Sequence, residues 1–156
     1  MSELEGMRAT LAEISATLVG FSVIFRAFTG QRNVDGHSDA RVTVIVEIGL
    51  VVVGLCFVPD LLAASGVATP IAFRAASGLM ALYWVRWLVV TYQIRGDFHI
   101  TPVAYRVAAL LQLSVFGVSA ANALFFGTEV MYTTAVLAAL AVVGVSFWAQ
   151  FRVERA

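Results

Sequence analysis

The chain contains no lysine; all ten of its basic residues are arginine. Schiff-base chemistry on a lysine amine is therefore excluded, and retinal and pyridoxal sites with it. There is one cysteine, Cys56, so no internal disulfide forms, and its place in an apolar run marks it as a small hydrophobe. The two histidines, His37 and His99, fall in loops between apolar segments. A bis-histidine haem needs ligands inside a helix bundle, so none is expected. The "DGHSD" stretch at 35–39 offers metal-capable atoms without a metal-ligand spacing. No phosphate loop, Gly-x-Ser-x-Gly elbow or His-Glu-x-x-His pair occurs. The reading is of a protein that is not an enzyme and carries no cofactor or metal. Charge is scarce as well. Only 13% of residues are charged, about half the share usual in soluble domains. The formal net charge is zero, which leaves no electrostatic argument for a nucleic-acid partner.

What the chain has instead is apolar length. Of its 156 residues 60% are hydrophobic, against about 45–50% in a soluble domain. A membrane-crossing helix needs about 20 mostly apolar residues. Five segments meet that need: 7–28, 41–65, 70–94, 102–126 and 129–151. Their starts carry helix-start chemistry. Thr69-Pro70 and Thr101-Pro102 each set a cap residue before a proline, Thr128-Glu129 pairs a cap with an acid, and Ser38 or Asp39 can cap the second helix. The expected fold is all-α: a single domain, a polytopic integral membrane bundle of five transmembrane helices with short loops.

Arginine placement predicts the orientation. Arg26, Arg32, Arg41, Arg95, Arg106, Arg152 and Arg155 lie at or near the side that holds loops 29–40 and 95–101 and the C-terminus. The opposite side has Arg8 and Arg74, and its loops "GVAT" and "FGT" have none. The positive-inside rule then makes the N-terminus external and the C-terminus cytoplasmic. The N-terminal "MSELEGMR" is acidic and no small-residue cleavage site follows it closely, so no secretory signal is expected. A bacterial inner (plasma) membrane is the expected location, with the lipid bilayer as the first partner.

The stretch "VIVEIGLVVVGLCFVPDLLA", 44–63, carries two acids inside a span. Lone charges there cost several kcal/mol on insertion scales, so pairing is expected. The second and third helices are antiparallel neighbours, and matched depths pair Glu47 with Arg86 and Asp60 with Arg74. In the fourth helix Gln112, Ser119 and Asn122 share an inward face for interhelical hydrogen bonds, with Tyr105 beside them. The fifth helix, nearly all Ala, Val, Leu and Gly in its middle, reads as peripheral or as an oligomer contact. Trp84, Trp87 and Trp148 read as an aromatic belt.

The first helix, "ATLAEISATLVGFSVIF", is different. Thr10, Glu13, Thr17 and Gly20 follow helical spacing along one face, with larger apolar residues opposite. One small polar face and one greasy face suit a pathway-lining helix. A chain this short encloses a path most easily as a homo-oligomer, and a ring of Glu13 carboxylates attracts cations. The expected function is a homo-oligomeric ion channel or small permease, cation-conducting, acting on an inorganic ion or small solute. The alternative is a non-conducting scaffold or accessory subunit of a larger membrane complex, its polar groups serving only to pack helices.

Overall fold

Residues 3–29, 37–93 and 102–153 are described in the computed structural model. They form five α-helices: α1 (Glu3–Thr29), α2 (His37–Ala64), α3 (Thr69–Gln93), α4 (Pro102–Ala121) and α5 (Glu129–Val153). Four hold a segment long and apolar enough to cross a membrane: Glu3–Ile24, Ile45–Ala64, Ala109–Phe126 and Glu129–Trp148. The chain is thus an all-helical protein of membrane-protein character. The α3 helix has the length, but Arg74 and Arg86 dilute its apolar run. Arg32, Arg95, Arg155 and His99 lie outside the described residues, as do the side chains of Arg26, Arg41, Arg152, His37 and Tyr105.

The helix ends follow from local chemistry. After α2, Gly66 takes φ +89° while Ser65 and Val67 donate backbone bonds to Leu61 and Leu62 carbonyls, closing the turn to α3. The α4 helix ends in a π-helical turn, Asn122–Phe126, and Gly127 at φ +67° turns the chain into α5. A Cβ on Gly127 would lie 2.8 Å from the Pro70 carbonyl oxygen, so glycine is needed both for its φ and for space. Thr128 caps α5: its hydroxyl accepts from the Met131 amide at 3.5 Å.

The core lies along α5. Tyr132, Ala135, Val136, Ala139, Val142 and Val143 are buried, at the period of one helical face. The helix packs against α1, α2 and α4. The expectation of a peripheral fifth helix is corrected. Its small side chains let three neighbours approach it closely, which makes it the central helix. The tryptophan belt is corrected as well. Trp84 and Trp87 continue the buried stripe Phe73, Ala76, Ser77 and Met80 of α3, and only Trp148 is exposed. Between α1 and α2 the contact is tight: Ser15 Oγ donates to the Gly49 carbonyl at 3.0 Å, and a Cβ on Gly49 would meet Val19 Cγ2 at 2.3 Å.

Candidate functional site

Two places hold the unusual chemistry: a charged pocket at one end of the bundle and the outer face of α1. The pocket lies where α1, α3 and α5 begin and α2 ends. Arg8 sits about 7–8 Å inside α1 at 1.5 Å per residue. Its side chain is 2% exposed. It donates to Asp60 Oδ1 on α2 at 2.7 Å and to Glu129 Oε1 at the start of α5. Its guanidinium carbon stands 5.4 Å from the centre of the Phe73 ring on α3. One arginine therefore joins all four helices. A planar guanidinium can do this because its donors diverge while its face stacks. The pocket beside it, about 190 Å³, is also lined by Glu5 and Thr69. Three carboxylates against one guanidinium leave it net negative. No group of three or more His, Cys, Asp or Glu placed to hold a metal occurs among the described residues.

Asp60 thus meets Arg8, and the expected Asp60–Arg74 pair is corrected. Phe73 and Ala76 lie on the buried face of α3, and Arg74 is turned one residue, about 100°, away from it. Arg74 faces the end of α4 and donates to the Phe125 carbonyl at 3.4 Å. Loop length made α2 and α3 neighbours but did not fix which face of α3 looks at α2. Arg8 was legible as an arginine at the same depth as Asp60, and Glu129 as an acid at that level. The missing signal was the contact of α1 with α5, which are 121 residues apart at this pair.

Near the opposite end Arg86 donates to Glu47 Oε1 and lies 5.8 Å from the Trp87 ring centre. Here the arginine side chain is 61% exposed. Gln112, Ser119 and Asn122 are buried. Asn122 donates to Ser77 Oγ at 2.8 Å and accepts from the Thr128 amide at 2.8 Å, tying α4, α3 and the turn into α5. Gln112 Oε1 and Ser119 Oγ are buried without a hydrogen-bond partner among the described residues.

On α1, Thr10, Glu13, Thr17 and Gly20 are all exposed on the protomer. Thr10 and Thr17 hydroxyls donate to the Gly6 and Glu13 carbonyls, at 3.1 and 2.8 Å. Their donors are used within the helix, so oxygen lone pairs face outward. Ile14 and Phe21 flank the stripe and are exposed too. The face turned to the bundle mixes small and large residues, with Arg8, Leu11, Ala12, Ser15 and Ser22 buried. Leu11 and Leu18 on that face pack into the core, as expected of the greasy side, while Ala12 and Ser15 let α2 approach closely.

No protein-family model matches the chain, and neither a curated protein nor a solved structure matches it.

Proposed function

We propose that the chain spans the bilayer five times, N-terminus outside and C-terminus inside, and that copies assemble through α1 around a cation pathway. The carrying observation is the exposed stripe of Thr10, Glu13, Thr17 and Gly20 in a helix otherwise apolar enough to cross a membrane. A carboxylate facing hydrocarbon is costly, so a second polar surface beside it is the natural cover. The same stripe on neighbouring copies supplies that surface, with Ile14 and Phe21 as apolar shoulders. The outward oxygens of Thr10 and Thr17 and the Glu13 carboxylate are acceptors, the group type that replaces water around a cation. The α3 helix completes the fifth span when Glu47 compensates Arg86 and Arg74 reaches the headgroups.

One observation favours a second reading, a non-conducting scaffold. The buried polar side chain best supplied with partners, Asn122, is wholly engaged in holding helices together. Glu13→Gln separates the two. It keeps shape and removes charge. The channel reading expects an unchanged size-exclusion profile and a loss of cation flux or cation preference in proteoliposomes. Absence of flux from the parent protein across varied ions, pH and voltage supports the scaffold.

A further inference from the structure

The polar stripe on α1 stops short of the end of its apolar segment, and the residue that continues it is greasy. We propose that Ile24 closes the cation pathway as a ring of apolar side chains, a gate that rests on the reading of α1 as the pathway-lining helix. Ile24 follows Gly20 by four residues and Thr17 by seven, spacings that keep to one helix face. At about 100° per residue it stands about 20° from Thr17 and about 40° from Gly20. It therefore lies inside the sector that Thr10, Glu13, Thr17 and Gly20 occupy, with Phe21 at its edge. Its side chain is 53% exposed on the protomer, so the bundle leaves it free to meet other copies.

The acceptors run out before Ile24. Between Thr17 and Ile24 the sequence is LVGFSV. Its one polar side chain, Ser22, is buried on the opposite side of α1 and donates to the Leu18 carbonyl at 2.8 Å. From Thr17 to Ile24 the helix rises about 10 Å at 1.5 Å per residue. Beyond Thr17 no side chain on the stripe over that length can replace water around a cation. Gly20 draws the walls together. It has no side chain, and nothing stands within 4 Å of where a Cβ would be. Neighbouring copies can therefore approach closely one turn above Ile24. A narrow ring of isoleucine side chains sheds water, and a cation that must keep its hydration shell does not pass. The Glu13 half of the stripe selects the ion, and the Ile24 end closes the path.

The test is potassium and chloride flux in proteoliposomes, with assembly checked by size exclusion. Ile24→Thr puts a hydroxyl where the ring excludes water and raises potassium flux about tenfold over the parent. Potassium stays preferred over chloride, because Glu13 is untouched. Ile24→Asn, with a second kind of polar side chain, does the same. Ile24→Val keeps the ring apolar and leaves the parent rate. So does Val23→Thr, since Val23 is exposed as well but turned about 100° from Ile24. A parent that conducts as fast as Ile24→Thr overturns the gate and leaves the pathway standing. An equal rise in Val23→Thr, or a rise shared by potassium and chloride alike, overturns the gate too. No flux from the parent, Ile24→Thr or Ile24→Asn removes the pathway reading and the gate with it.

Discussion

Arg8 and Arg86 both bond carboxylates on neighbouring helices, near opposite ends of the bundle, yet their side chains are 2% and 61% exposed. The chemistry is the same and the energetics differ. At the Arg86 end one exposed arginine meets one acid, and long side chains held at a surface gain about 0–1 kcal/mol. At the Arg8 end one buried cation meets two acids and a ring, joining four helices. The burial is the arginine's: its acids Asp60 and Glu129 are 43% and 27% exposed, so it is the guanidinium that depends on them for its partners. Depth along the helix does not decide what a membrane arginine contributes; the face it occupies does.

The comparison breaks first at Arg8. Arg8→Met keeps the stem and removes the charge, leaving Asp60 and Glu129 near each other without their cation. A loss of about 3–5 kcal/mol is expected, measured by denaturant unfolding in micelles. Arg8→Lys recovers only part, because an ammonium has no planar face to lay on Phe73 and no fixed fork for two acids. A loss under about 1 kcal/mol would place Arg8 in the same class as an exposed pair.

A burial effect without charge sharpens the contrast. Asn122 is fully buried and bonds Ser77 and Thr128. Asn122→Leu keeps similar volume and strands the Thr128 amide and the Ser77 hydroxyl. About 1–3 kcal/mol is expected, below Arg8→Met because neutral groups are left unpaired. If the two losses are equal, burial alone explains the Arg8 end and its charge adds nothing.

Much of this was legible in the sequence because apolar length and cap residues are local. Thr128 before Glu129, and glycines at 66 and 127, mark ends that the helices respect. The Glu47–Arg86 contact was also legible, since a short connection fixes antiparallel neighbours and rise per residue fixes depth. Rotation about the helix axis was not. It assigned Asp60 to Arg74 and the tryptophans of α3 to a lipid belt. Both fail for one reason: α3 turns Phe73, Trp84 and Trp87 inward and Arg74 away. A nearly uniform apolar helix has no polar face to report its rotation. The same uniformity hid α5, whose small residues suit the centre of a bundle as well as its edge.

The exposed pair sets the lower bound of the comparison. Arg86→Ala is expected to cost at most about 1 kcal/mol if water rather than lipid covers its outer face, since the Arg86 side chain is 61% exposed and that of Glu47 one-third exposed. Combining it with Glu47→Ala recovers a few tenths of that, read as coupling in a double-mutant cycle. A loss matching Arg8→Met would mean that lipid, not water, surrounds Arg86, and would move this end of α3 into hydrocarbon.

The smallest effect belongs to Arg74, and it tests the corrected pairing directly. Arg74 is exposed and donates one long bond, 3.4 Å, to a backbone carbonyl. Arg74→Ala is expected within about 0.5 kcal/mol of the parent, as for surface substitutions away from a special feature. The informative quantity is its coupling to Asp60. The Arg74→Ala and Asp60→Asn changes should add, because the two side chains share no contact. Arg8→Met and Asp60→Asn should not, because Asp60 Oδ1 is an Arg8 acceptor at 2.7 Å. Asn keeps an oxygen at that position, so the second cycle reads the charge on Asp60 rather than the loss of a hydrogen bond. Coupling of Asp60 to Arg74 with none to Arg8 would return α3 to the rotation that matched depths alone suggest.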